Sequence, residues 1–392
     1  MNASNSLLPS GFYDLLPPFA AFESELVYRA MQSLMRFGYE RVAPPLVEFE
    51  DSLLRSASPA VERQTFRVMD PLSQKTMGIR ADITMQIGRI ATKRMPQAPR
   101  PLRLCYSGSI LSTKSDTIFP NRQQTQAGAE IIGSDHVAAD AEAITVAVHC
   151  LKALGVKRIT VDINLPSLVA LALQDAGVNH AEAEDILTAI ANKDSAAANL
   201  KKGKLSDWLA LVCRLHGPAE DIWPHIKKAK FWPKSGEALR TRLGELLTLI
   251  TDRFDDLDWT IDLTENRGFD YDNSGISFAL FASGIQGEIG RGGRYVVATD
   301  ETTPATGFTI YLTRLLSILP TPEPLPRILV PIDTDMQTLA RLQTQGMVTV
   351  AGLEFTQKTS LKEAQKQATE MRCQQVWHGG TSIYIGQAKD KA

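Results

Sequence analysis

Apolar residues recur every three or four positions through Phe19, Phe22, Leu26, Ala30, Leu34 and Phe37, which predicts an amphipathic helix behind Pro17 and Pro18. Gly38 closes that helix. The following YERVAPPLVEF reads as a strand interrupted by Pro44 and Pro45. TFRVMD and TMGIR flank PLSQK, a turn composition, and predict a hairpin. DITMQIGRIATKRM opens on an Asp suited to a helix N-cap. LRLCYSGSIL and QTQAGAEIIG form the next strand pair, and DHVAADAEAITVAVHCLKALG a long helix ending at Gly155.

After the strand RITVDINL the pattern becomes helical from about Pro166 to Ile250, broken by NKDSAAANLKKGK. Strands return with WTIDL, GISFALFA and GEIGRGGRY, and GFTIYLTRLLSIL passes from strand into helix. This order predicts an α+β domain over residues 1–320, built on an antiparallel sheet with flanking helices and a helical insertion at about 166–250. PTPEPLPR, from Pro320 to Arg327, is a proline-rich linker. Residues 327–392 then alternate strand and helix as a small α/β module.

Composition narrows the functional classes. A chain of 392 residues with a formal net charge of −2 advertises no basic face for nucleic acid. Four cysteines stand at 105, 150, 213 and 373, without zinc-ribbon or dithiol spacing, as expected of a reduced, cytoplasmic protein. The first residues, MNASNSLLPSGFYDLLPP, lack the pattern of a signal peptide, and no apolar run is long enough for a membrane helix. Six histidines fall into no metal-ligand spacing, no GxSxG elbow occurs, and DRFDDLDWTID lacks the spacing of a calcium loop, so neither metal nor cofactor is expected.

The candidate chemistry is local. Asp82 and Thr84 lie two apart at a helix start, where a carboxylate and a hydroxyl can face an ammonium group together. Taken alone, Asp82 more often just caps the helix. Gln126 and Glu130 lie four apart in QTQAGAE, on one face of a strand with Gly128 between them, which leaves room for a small ligand above the sheet. A half-exposed strand with polar outer residues is the plainer reading of that pattern. Arg267 beside a glycine can offer a bidentate fork to a carboxylate or phosphate, although a lone arginine is more often a surface ion pair. EIGRGGRY lacks the order of a phosphate-binding loop, so turn glycines are its simpler meaning.

These segments together resemble the catalytic domain of histidyl-tRNA synthetases, from Leu8 to about Leu319. GFYDLLPP is similar to that family's opening segment, and GYERVAPPLVEFEDSL with its preceding helix to class II motif 1, the dimer interface. IRADITMQIGRI resembles the segment that binds the amino group, and Arg103 to Gly133 matches motif 2. ENRGFDYDNSG, GGRY and TGFTIYLTRLL resemble the two histidine-specific motifs and motif 3. The resemblance implies histidine-binding roles for Asp82, Thr84, Gln126, Glu130, Arg267 and Tyr271; Asp272 stands where a second tyrosine is usual.

The same alignment of motifs implies a degenerate ATP site. Ser112 stands for the motif 2 arginine and Lys114 for its glutamate; motif 3 reads Tyr311, Leu312, Thr313, Arg314, with only the arginine kept. Losing one preorganised transition-state donor costs on the order of 10²–10³ in rate. The combination resembles the histidyl-tRNA synthetase-like regulatory subunits of ATP phosphoribosyltransferase. That implies a non-catalytic chain, homodimeric within a hetero-octamer, which activates a short catalytic subunit at the first step of histidine biosynthesis and transmits inhibition by histidine. The rivals are an active histidyl-tRNA synthetase and a non-catalytic paralogue that binds tRNA or another protein. Eight Lys/Arg against six Asp/Glu in residues 327–392 are too balanced for a strong phosphate footprint, and KKAKFWPK reads as a solvated helix end.

Overall fold

The computed structural model describes residues 8–55, 59–114, 118–192, 203–254, 256–265, 275–297 and 302–385. The chain divides at Pro320 into two compact units, Met1–Pro320 and Thr321–Ala392.

The first unit opens with α1 (Phe19–Met35), β1 (Glu40–Arg41), β2 (Val47–Phe49), α2 (Glu50–Leu53), α3 (Pro59–Gln64), β3 (Phe66–Met69) and β4 (Thr76–Ile79). It continues through α4 (Thr84–Arg89), β5 (Leu102–Leu111), β6 (Gln123–Ile132), α5 (Val137–Leu154) and β7 (Ile159–Asn164). The helical insertion holds α6 (Leu168–Asp175), α7 (His180–Ala191), α8 (Lys204–Val212), β8 (His216–Pro218), α9 (Ala219–Lys228) and α10 (Glu237–Ile250). β9 (Asp258–Asp262), β10 (Ser277–Ala282), β11 (Gly290–Val296), β12 (Pro304–Tyr311) and α11 (Leu312–Leu315) complete it.

Nine strands form the main sheet in the order β1-β5-β6-β12-β11-β10-β7-β9-β8, and β2-β4-β3 form a second, small sheet. Pairing is antiparallel except for β1 with β5 and β7 with β9, so the sheet is mixed where antiparallel order was expected. Pro44 and Pro45 explain one departure: they end the run that begins as β1, and the chain resumes as β2 in the other sheet. The short edge strand β8, inside the segment predicted to be helical, is another.

One face of the main sheet is apolar. Ala127, Ala129 and Ile131 of β6, Phe308 and Ile310 of β12 and Phe278 and Leu280 of β10 share a core with Phe22, Leu26, Ala30 and Leu34 of α1 and with α5. Alternation then puts the intervening residues of β5, β6, β11 and β12 on the opposite face, where the site lies. α5 starts with His136 Nδ1 accepting the Ala138 amide and stops at Gly155, whose φ of 99° a residue with a Cβ rarely adopts. No helix among the described residues is long and apolar enough to cross a membrane.

In the second unit, β13 (Arg327–Pro331), α12 (Met336–Thr344), β14 (Val348–Gly352), α13 (Leu361–Glu370), β15 (Gln375–His378) and β16 (Thr381–Tyr384) form a four-stranded sheet, β14-β13-β15-β16. β14 and β15 run parallel to β13, as strand–helix alternation demands. Asp335 and Ser360 cap its helices.

Candidate functional site

Register builds the site floor. Gly108, Gln126 and Tyr311 lie in one row across β5, β6 and β12; Tyr106, Gly128 and Thr309 form the next, and Leu104, Glu130 and Gly307 the third. Gly128 and Gly307 make the crowding tolerable. A Cβ on Gly128 would sit 2.5 Å from the Tyr106 hydroxyl, and one on Gly307 would overlap the Glu130 carboxylate.

The segment before α4 lies over this floor. The Gln126 amide nitrogen donates to Asp82 Oδ2 at 2.8 Å, and its oxygen accepts the Ile83 amide at 3.3 Å. The other Asp82 oxygen accepts the Thr84 amide at 2.7 Å. One Asp82 oxygen thus holds the backbone entering α4, while the other is bound to Gln126 of the strand. Arg80 braces the same segment, lying against Gly108 and donating to the carbonyls of Ser109, at 2.8 Å, and Pro44, at 2.9 Å.

Glu130 is fully buried. Tyr106 donates to one of its oxygens at 3.2 Å and Tyr295 to the other at 3.0 Å. The hydroxyls of Thr84, at 3.2 Å, and Thr309, at 2.7 Å, are placed to donate in turn to the Tyr106 oxygen. Burial pushes the Glu130 carboxyl well above the usual carboxylate range; the Tyr295 phenol pulls it back, and the Asp82 charge raises it again. Burial likewise raises Tyr106 and Tyr295.

Asp82, Thr84, Gln126 and Glu130 are thus brought together, with Gln126 and Glu130 buried where a plain strand pattern would leave them half exposed. Arg267, Tyr271 and Asp272 lie outside the described residues. Sequence reasoning missed Tyr106, Thr309 and the role of Tyr295. Tyr295 stood in the GGRY segment, and the glycines there belong to β11 rather than to turns.

The other half of the face is filled by the chain itself. Arg314, 7% exposed, has its guanidinium 4.4 Å from the Phe119 ring centre and 4.2 Å from that of Tyr311. It donates to Gln124 Oε1 at 2.9 Å and to the Glu288 carbonyl at 2.7 Å. Arg291 lies 5.6 Å from the Tyr311 ring and pairs with the Glu288 carboxylate. Burial pushes the Tyr311 phenol up to about 12. Thr313 is equally committed, donating to Glu23 at 2.7 Å and accepting the Thr125 amide at 2.8 Å. Ser112 turns its hydroxyl to the Lys114 amide at 3.2 Å, and Lys114 is exposed.

Comparison with known proteins gives the chain's family and fold. The histidyl-tRNA synthetase family profile matches residues 11–315. An ATP phosphoribosyltransferase regulatory subunit of Rhodospirillum centenum is 42% identical over 97% of this chain and 96% of its own length. One from Gluconobacter oxydans is 38% identical over 97% of each chain. Among solved structures, an ATP phosphoribosyltransferase regulatory subunit/histidyl-tRNA synthetase from Bacillus halodurans superposes with a TM-score of 0.79 at 18% identity, covering 95% of this chain and 97% of that one. A histidyl-tRNA synthetase from Nostoc sp. gives 0.74 at 19% identity, covering 96% and 91%. At those identities the likeness is one of fold.

Proposed function

We propose a regulatory function from a plain premise: this chain belongs to the family of ATP phosphoribosyltransferase regulatory subunits, built on a histidyl-tRNA synthetase domain. In this reading the chain makes no adenylate. It joins a short catalytic subunit, raises that subunit's activity on assembly, and transmits inhibition by histidine bound over β6.

One observation supports the proposal: Asp82, Thr84, Gln126 and Glu130 are gathered on one face of the sheet, while Tyr311, Thr313 and Arg314 are engaged with other residues of the chain. Asp82 and Thr84 offer an ammonium its acceptors, and Gln126 and Glu130 supply amide and carboxyl groups behind them. Arg267 and Tyr271 are assigned the ligand carboxylate and the pocket's aromatic wall by family resemblance. Toward ATP, Ser112 brings no positive charge, Lys114 inverts the sign of an acid, Thr313 replaces another, Tyr311 occupies adenine space, and Arg314 is held by protein partners. Without a cation set on the reacting phosphate, adenylation loses its main electrostatic stabilisation.

Histidine inhibits only if it binds the low-activity arrangement of the assembly better than the active one. A homodimer within a hetero-octamer, a cytoplasmic location and no role for nucleic acid complete the proposal. The test is reconstitution with a short-form catalytic subunit. Activity is expected to rise on mixing and to fall on adding histidine. Two chains that fail to co-purify, or a complex indifferent to histidine, would overturn it.

A further inference from the structure

β11, which carries Tyr295 to Glu130, is held from its other face by charge. Arg294 and Asp140 form an ion pair at 2.8 Å, each side chain 4% exposed. Arg294 also donates to the Ser134 carbonyl at 2.9 Å. The second Asp140 oxygen accepts Arg242 Nε at 2.8 Å, and Arg242 Nη2 reaches the Asp135 carbonyl at 2.8 Å. One buried carboxylate at the start of α5 is therefore shared between the strand behind the pocket and α10 of the helical insertion. Leu243, Leu246 and Ile250 seat α10 in the same core as α5.

We propose that Arg242 is a positioning residue for the pocket: acting through Asp140 and Arg294, it sets how Tyr295 meets Glu130, and so links the helical insertion to histidine affinity. Arg294 and Tyr295 are successive residues of one strand and point to opposite faces, so a shift of one is a shift of the other. Asp140 has two cations to satisfy it. Removing Arg242 leaves the Arg294–Asp140 pair neutral and intact, so the fold survives while the strand loses a brace. Removing Asp140 instead leaves the buried Arg294 guanidinium only the exposed Asp135 carboxylate, at 3.3 Å, as an anionic partner among the described residues, which makes it the poorer probe.

The proposal rests on reading the pocket as a histidine receptor, and one calorimetric series separates the two. Histidine is titrated into the full chain, into Arg242→Gln, into Tyr295→Phe and into the double variant. Arg242→Gln is expected to weaken binding by about three- to tenfold. In the Tyr295→Phe background the same change is expected to add little, since the two act along one route. Arg240→Gln, on the same helix but bound to Glu237 at 2.6 Å and lying over the Trp232 ring, is expected to bind as the parent does. Arg242→Lys, which keeps the charge beside Asp140, serves if the glutamine variant does not fold; an intermediate loss is expected. Parent-like binding by the Arg242 variants, or a loss of equal size in both backgrounds, overturns the positioning role while leaving the receptor standing. Failure of the parent chain to bind histidine sinks the receptor reading itself.

Discussion

At the scale of single residues, Glu130 holds the account together. Its two oxygens take two phenols, and it lies two rows along β6 from Gln126, which is bonded to Asp82. Losing a hydrogen bond to a charged group costs about 1.5–3 kcal/mol, or roughly ten- to a hundredfold in affinity. Glu130→Ala and Asp82→Ala are each expected to raise the histidine concentration needed for half inhibition by that order, while the catalytic subunit still co-purifies. Unchanged inhibition in both would place the effector elsewhere. Burial also gives Glu130 a signature of its own. Its carboxyl binds a proton more tightly in the fold than in the unfolded chain, so its contribution to stability is present below the ordinary carboxylate range and is lost as pH rises toward the raised value. Glu130→Gln is therefore expected to gain on the parent in stability as pH climbs through that window, by up to about 1.4 kcal/mol per pH unit. Urea melts of the two proteins across pH would reveal it; a constant difference would contradict it.

At the scale of elements, the site depends on glycines where two strands and a side chain converge. Gly307→Ala drives a methyl into the Glu130 carboxylate, and overpacking of this kind costs about 1–3 kcal/mol. The variant is expected to melt earlier and to lose histidine binding, both seen in one thermal-shift titration. Much of this layer was legible before the fold was known. Periodicity placed α1 and α5, turn chemistry placed the β3–β4 hairpin, and alternation put Gln126 and Glu130 on one face. What was hidden is long-range register. Nothing local pairs Thr309 with Gly128 across 181 positions, or sends the Tyr295 hydroxyl to Glu130. β8 escaped because three residues, His-Gly-Pro, carry no period.

At the scale of the molecule, the two groups of residues differ in how they are used. Asp82, Thr84, Gln126 and Glu130 gather polar groups over β6, while Tyr311 and Arg314 are held in interior packing and hydrogen bonds. Restoring one residue should not reverse this. Tyr311→Gly removes the ring beside Arg314 but leaves that arginine bound to Gln124 and Glu288 and leaves Ser112 uncharged. No histidine-dependent ATP–pyrophosphate exchange is expected from it, and clear exchange would mean that the ring alone had blocked catalysis. The most direct measurement for the whole account is a calorimetric titration of histidine into the purified chain, with and without ATP and magnesium, monitoring pyrophosphate. The account expects saturable binding, the same affinity in both arms and no pyrophosphate. Binding that tightens with ATP and releases pyrophosphate would contradict it.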